Sequence, residues 1–384
     1  MNSEERGIQR LLGDVRAMGG LIERCADADE DATQISDEVM QALTNAGVFK
    51  LMAPAELGGF EAHPLEVFEV IKTLSYLDGS TGWYCQAATT GVAVAGAFLG
   101  EQAIKDIFRS GRAPTCAGQA APTGKAERVD GGYRISGSFS FGSGTPNASW
   151  IVGGYLLHES GRLVLRDGNP VMLIALAPRE QVEMLGNWNV LGLRGTGSYD
   201  FKVREQVVHQ DFVFDAGNPQ AQRGGALYRM GFFGIPTLCH ASFGAGCAHR
   251  ILDEWARYAR QKKRPPKGTV SEMESFQKDL AIAHAQVRAA EAYVRSTFEQ
   301  LYRCAQSGSI PAQLNLDSRL CASNMLAVGT RVAQTAFTSS ATTGLRNGSA
   351  LQRCFRDMQA GNAHFLTGEQ SFIDSGRALA ARDQ

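Results

Sequence analysis

Apolar residues recur along this chain with two different periods, and the period changes twice. Over residues 1–113 the spacing is helical. Ile8, Leu11, Leu12, Val15 and Met18 share one face of a first helix. Val39, Leu43 and Val48 mark the next, with Ser36 at its N-cap and Glu38 in its first turn. Pro54 and Gly58-Gly59 break the chain. Val67, Val70, Ile71, Leu74 and Leu77 then predict a third helix, ended by Asp78-Gly79. Ser80 to Leu99 is small, apolar and almost uncharged, and a helix that is apolar on every side is a buried one.

Between 114 and 217 the period shortens. Tyr133-Arg-Ile-Ser and Phe139-Ser-Phe alternate after the turn residues Asp130-Gly131-Gly132. Trp150–Leu157 and Val171–Leu176 are short apolar runs, and Tyr199–Phe214 is rich in Val and Phe. These features predict a compact β barrel or sandwich of six to eight strands. From 218 to 384 the helical period returns. Phe243, Cys247, Ile251, Trp255 and Tyr258 line one helix, broken at Pro265-Pro266. From Met273 through Phe276, Leu280, Ala283, Val287, Ala290, Val294 and Phe298 to Leu301 the steps are threes and fours, and Pro311 opens another long helix. Stripes of this kind build bundles and leave faces for oligomerisation.

Composition narrows the function classes. The chain has 384 residues, 44% of them hydrophobic, and a net charge of −1. That is enough apolar material for a large core. Near-zero charge offers no footprint for a phosphate backbone, which argues against nucleic acid. The N-terminus is polar, with no signal segment. The most apolar stretch, Gly91–Gly100, has half the length a membrane span needs. A soluble, cytoplasmic protein is predicted. Cys25, Cys85, Cys116, Cys239, Cys247, Cys304, Cys321 and Cys354 form no CxxC pair and read as reduced thiols. The acidic run Asp27–Asp31 reads as a solvated helix end.

Familiar motifs are missing. There is no GxxxxGK[ST], HExxH or GxSxG, and Gly192-Leu-Arg-Gly-Thr-Gly-Ser lies in strand-rich sequence without a following helix. His240 and His249 lie too far apart to pair at one helical turn. Three segments stand out. Gly137-Ser-Phe-Ser-Phe-Gly-Ser-Gly144 is either a strand running into a loop or a strand end with free N–H and hydroxyl groups for a planar ligand. Leu191-Gly-Leu-Arg-Gly-Thr-Gly-Ser-Tyr-Asp200 is either a glycine-rich hairpin or a place of close backbone approach. In the third, Leu351 to His364, Arg356-Asp357 can pair locally or across a bundle. His364 would follow two turns on along the same helix face, as a structural histidine or a working one.

Taken together, the segments resemble the acyl-CoA dehydrogenase fold over essentially the whole chain. It is an α+β architecture with an N-terminal helical domain (1–113), a central β domain (114–217) and a C-terminal four-helix bundle (218–384). Leu43 to Gly59, Leu77-Asp-Gly-Ser-Thr-Gly-Trp83 and Arg356-Asp357 carry that likeness. Within the superfamily the chain is most similar to the two-component flavin-dependent monooxygenases. These group D aromatic hydroxylases act on phenols, steroid phenols and thiophenes. His364 stands where they carry an active-site histidine. Gly348, eight residues before Arg356, stands where many dehydrogenases carry their catalytic glutamate. The alternatives are an acyl-CoA dehydrogenase or related FAD oxidase acting on an acyl thioester, and a non-catalytic scaffold.

The resemblance implies reduced FAD or FMN as cofactor, O₂ as co-substrate, a separate NAD(P)H:flavin reductase as partner, and a homotetramer. It implies that reduced flavin and O₂ form a C4a-hydroperoxide. Phe141-Gly142-Ser143 matches the family's aromatic-x-Ser/Thr flavin strand. Ser143 aligns with the hydroxyl that protects flavin N5, and His364 with a residue able to take or share a phenolic proton. Trp83 is the candidate pocket wall. The dehydrogenases' Arg-x-x-Phe-Gly, which reaches a neighbouring subunit's flavin pyrophosphate, is replaced here by Arg260-Gln-Lys-Lys-Arg264. Lys262 and Arg264 become the candidate phosphate cations.

Overall fold

A computed structural model describes residues 3–109 and 114–381; the expected boundary after residue 113 falls outside the described residues. The first zone folds as α1 (Ser3–Ala17), α2 (Gly19–Ala32), α3 (Asp37–Ala46), α4 (Pro64–Leu77), α5 (Gly79–Phe98) and α6 (Glu101–Phe108). Ser36 does sit at the α3 N-cap, but its hydroxyl makes no capping bond. Its backbone N–H instead donates to Asp29 Oδ1 at 3.1 Å. Asp78 ends α4 and starts α5, accepting the Thr81 N–H at 2.8 Å. Helix α5 is buried on nearly all sides, as its small apolar sequence requires. The acidic run closes α2 with Asp27 and Asp31 exposed, as expected, but it is not only solvated. Asp27 pairs with Arg353, Glu30 pairs with Arg356, and Asp29 is buried.

The second zone holds β1 (Cys116–Val129), β2 (Gly132–Gly142), β3 (Trp150–Glu159), β4 (Arg162–Leu163), β5 (Leu165–Arg166), β6 (Asn169–Pro170), β7 (Met172–Pro178), β8 (Glu183–Met184), β9 (Tyr199–His209) and β10 (Val213–Asp215). Asp130-Gly131 turns β1 into β2, with Gly131 at φ +71°. The strands do not separate into a two-sheet sandwich. Eight of them form one mixed sheet in the order β10-β7-β3-β1-β2-β9-β8, with β4 on β3 and β1 parallel to β3. The sheet wraps its own core, in which Ile151 and Tyr155 of β3 and Ala175 of β7 meet Phe139 of β2 and Phe201 of β9.

The third zone is α7 (Ala226–Arg229), α8 (Gly234–Gln261), α9 (Glu274–Ser307), α10 (Ala312–Ser339), α11 (Ala350–Asn362) and α12 (Glu369–Ala380). Helices α8 to α11 pack on one another as the expected four-helix arrangement, and α12 lies against α10. The two stripes read from the sequence are the buried faces of α8 and α9. A single apolar core joins both helical zones and runs through α4, α5 and α8. No described helix is long and apolar enough to cross a membrane.

Candidate active site

A cavity of about 510 Å³ opens where the three zones meet. Its walls come from α5, β1, the end of β2, the segment before β9, the start of α8 and the residues after α11. A shallower groove of about 320 Å³ lies over β2, β8 and β9, lined by Glu183, Lys202, Arg204 and Glu205.

A chain of hydroxyls runs along one wall. The Trp83 indole N–H donates to Ser143 Oγ at 3.0 Å. Ser143 Oγ lies 2.7 Å from Ser198 Oγ, which lies 2.7 Å from Thr196 Oγ1. Thr196 Oγ1 donates to the Leu193 carbonyl at 2.7 Å, which uses its only proton. Ser198 must then donate to Thr196, and Ser143 to Ser198. Ser143 Oγ is thus left with a lone pair and no proton for the cavity: it is held as an acceptor. The strand end beside it is strained. Phe141 adopts φ +63°, with its N–H on Asp200 Oδ1 at 3.2 Å and its ring 62% exposed, edge-on to Trp188.

Two histidines face each other across the deeper end, with ring centroids 4.2 Å apart. His240 lies 2.6 Å from the Pro236 carbonyl through Nδ1, so Nδ1 carries the proton and Nε2 is a bare acceptor. That Nε2 is buried without a hydrogen-bond partner among the described residues. His364 has the opposite arrangement. Its Nδ1 accepts the Leu366 N–H at 3.3 Å, so in the neutral ring Nε2 carries the proton and is a donor. Burial pushes His240 down to about 4. Burial, and then His240 itself, hold His364 well below the usual histidine range. Both rings are neutral near pH 7. Trp83 packs edge-on against His240, His364 and Phe243.

The segment carrying Ser198 and Thr196 is pinned to α11. It is a short 3₁₀ turn, Arg194–Thr196, flanked by left-handed residues Leu193 (φ +57°) and Gly197 (φ +55°), not a hairpin. The Leu193 N–H donates to Asp357 Oδ1 at 2.6 Å, and Arg356 donates to the Leu191 carbonyl at 2.9 Å. A Cβ on Gly192 would sit 2.1 Å from the Arg356 carbonyl oxygen, so only glycine allows this approach. Burial and the nearby Asp78 carboxylate hold Asp357 above the ordinary carboxylate range.

The structure therefore brings Trp83, Phe141, Ser143 and His364 into one cavity, with Gly142 just behind the wall against Thr145 and Phe201. His364 does not continue a helix face. Helix α11 stops at Asn362, and His364 caps the 3₁₀ turn that follows. Lys262 and Arg264 are not brought in within one chain. They are exposed past the far end of α8, about 30 Å of helix from His240. Sequence reading set His240 aside as a metal ligand and missed its place here. The available signal was that His240 extends the buried stripe Phe243, Cys247, Ile251 by one step toward the N-terminus. Thr196 and Ser198 lie in the segment Leu191–Asp200 that the sequence singles out, without a role for their hydroxyls, and Gln86 carries no sequence signal.

No Asp, Glu, Lys or Arg lines the cavity among the described residues. Gly348 is outside the wall, in the turn before α11 at φ +79°. The cavity thus holds no carboxylate to abstract an α-proton from an acyl thioester.

Residues 17–108 match the acyl-CoA dehydrogenase N-terminal domain model, and 238–369 the C-terminal domain model. The chain is 29% identical to an indole-3-acetate monooxygenase of Pseudomonas putida, over 89% of this chain and 86% of that protein. It superimposes on the crystal structure of 3-HSA hydroxylase from Rhodococcus sp. RHA1 with a TM-score of 0.90 at 26% identity, covering 97% of both chains. It is 31% identical to HsaA, the oxygenase subunit of a flavin-dependent monooxygenase in Rhodococcus jostii, over 88% of this chain and 90% of that one. The chain belongs to the flavin-dependent monooxygenases. The chemistry of the walls fits a reduced flavin: Ser143 Oγ, held as an acceptor, is the kind of group that an N5–H, carried by the reduced ring and not the oxidised one, would need.

Proposed function

We propose that this monooxygenase is the oxygenase component of a two-component system that hydroxylates a small aromatic, phenolic or polycyclic substrate. Bound reduced flavin supplies two electrons and activates O₂, so that one oxygen atom enters the ring C–H and the other leaves as water. The observation that carries the reading is the cavity itself: an apolar chamber with an acceptor hydroxyl on one wall, two neutral imidazoles on another and no carboxylate among the described residues.

In this reading Phe141, Gly142 and Ser143 hold the ring system, and Ser143 accepts a proton-bearing nitrogen. Trp83, Phe233 and Phe365 keep water from the reacting atoms. His364 Nε2–H donates to a phenolic oxygen and orients the ring toward the activated oxygen. That role differs from accepting the phenolic proton, because Nδ1 is engaged by Leu366 and burial opposes a cationic ring. A separate NAD(P)H:flavin reductase supplies the reduced FAD or FMN, which the oxygenase-subunit name of the Rhodococcus relative supports. Dependence on NAD(P)H agrees with a cytoplasmic setting. A homotetramer fits the exposed Ile282 and Tyr293 on α9 and Phe372, Ile373 and Leu379 on α12. In such an assembly Lys262 and Arg264 would reach a neighbour's flavin phosphate.

The test supplies the purified chain with a generic flavin reductase, NADH, O₂ and a panel of phenols, indoles and thiophenes. Product carrying ¹⁸O from ¹⁸O₂ is the expected result. Tightly bound yellow flavin bleached by an acyl-CoA would overturn the reading.

A further inference from the structure

A ring-hydroxylating reading leaves open whether the substrate is a neutral aromatic or a ring bearing a carboxylate. The chemistry of the walls separates the two. None of the described lining residues is charged. Those at the mouth are apolar as well: Phe141, Leu191, Phe233 and Phe365 are all exposed. Both imidazoles are neutral, each with one nitrogen already bonded to backbone. A carboxylate entering this chamber would lose its water and find no cation among the described residues.

Beside the bare His240 Nε2, one side-chain amide of the wall is uncommitted. Gln86, on α5, is only 2% exposed, and its amide makes no hydrogen bond to any described residue. The other side-chain amide of the wall, Gln119, is already engaged, accepting the Ala121 N–H and donating to the Ser140 carbonyl. A buried primary amide with nothing bonded to it offers two donors and an acceptor to whatever fills the cavity.

Resting on the flavin-monooxygenase reading above, we infer that this enzyme takes an uncharged aromatic substrate whose ring N–H, O–H or carbonyl pairs with the Gln86 amide, and that it excludes the same ring when it carries a carboxylate. Burying an uncompensated carboxylate is among the costliest steps in binding, whereas a neutral polar group that meets an amide loses little. The exclusion should be on the order of 100-fold in affinity.

The experiment uses the chain loaded with reduced flavin under anaerobic conditions and two matched pairs, indole with indole-3-acetate and p-cresol with 4-hydroxyphenylacetate. Tryptophan quenching or calorimetry reads affinity, and admission of air with a generic reductase reads product. The neutral member of each pair should bind about 100-fold tighter and give all the product. Gln86→Arg, which places a cation in the same wall, should narrow that gap about tenfold. A carboxylate member that binds as tightly as its neutral partner overturns the inference, and so does failure of both neutral members to bind. Selective binding of the neutral members with no product in air would leave the charge inference standing and sink the monooxygenase reading. Gln86→Leu that weakens reduced-flavin binding, yet leaves the affinity for indole unchanged, would overturn the assignment of Gln86 to the substrate.

Discussion

The indole N–H of Trp83 donates to the hydroxyl of Ser143 across 3.0 Å, tying the buried helix α5 to the end of strand β2 at the wall of the cavity. One residue comes from a helix and the other from the sheet, so the bond joins the two kinds of element at the site. Trp83→Phe keeps most of the ring volume and removes only the donor. Expected outcomes are a stability loss of about 1 kcal/mol and more peroxide released per product formed. Denaturant unfolding and the ratio of H₂O₂ to hydroxylated product check it. An unchanged ratio would show that the indole serves packing alone.

The same hydroxyl is polarised from the other side. Ser198 takes the Ser143 proton and Thr196 takes that of Ser198. Ser143→Ala removes the acceptor and should raise peroxide release several-fold while product falls. Ser198→Ala leaves Ser143 in place but frees its proton to turn toward the cavity. It should reproduce part of the Ser143→Ala defect, with reduced-flavin affinity within a few-fold of wild type. Ser198→Ala behaving as wild type in the peroxide assay would mean that the orientation of the chain has no consequence.

His364→Ala should lower product formation about 100-fold at nearly unchanged flavin affinity, with oxygen uptake diverted to peroxide. His364→Asn separates the donor role from a base role, since an amide donates but does not accept a phenolic proton. Partial recovery of coupling in the Asn variant is the expected result. If Asn and Ala are equally defective, the imidazole does more than donate.

Most of the fold was legible because period and turn chemistry are local. The stripes on α4, α8 and α9 and the all-round apolar α5 were read from spacing alone, and the Asp130-Gly131 turn from its residues. The sheet was less so. The parallel β1–β3 pairing is made by segments that are not consecutive, and no period reports it. Trp83, Phe141, Ser143 and His364 were reached through a resemblance. His240 was not, because a lone histidine on a buried helix face gains a role only when the fold lays His364 over it. The acidic run Asp27–Asp31 does close a helix in solvent, but its pairing is not legible for the same reason: the partners Arg353 and Arg356 lie more than 300 residues away in sequence.

Gly192 is where backbone meets backbone. Its Cα faces the Arg356 carbonyl so closely that a methyl group would lie 2.1 Å from that oxygen. Gly192→Ala must push the 191–198 segment away from α11 and lengthen the bond from Leu193 to Asp357. A cost of about 2 to 3 kcal/mol is expected, because neither backbone can give way as a flexible side chain would. Product formation should fall with it, through displaced Ser198. Urea unfolding beside the peroxide assay tests this, and a neutral effect on both would show that the segment has slack.

The buried histidines give a pH signature whose sign is fixed. His240 is pushed down to about 4 in the folded chain, and His364 lies well below its usual range. Free histidine titrates near 6.5. Between these values the unfolded chain binds protons that the folded chain refuses, so stability falls with falling pH. The stabilising contribution is full above about 6.5 and is lost progressively as the pH drops toward 4. For His240 alone the loss is on the order of 3 kcal/mol over that window. His240→Asn keeps a side-chain N–H for the Pro236 carbonyl and removes the titration. Urea unfolding of both proteins from pH 7.5 to 4.5 should show the wild type losing stability faster than the variant, so that any advantage it has at neutral pH shrinks on acidification. A stability difference that stays constant across this range would mean that His240 is not held neutral by the fold.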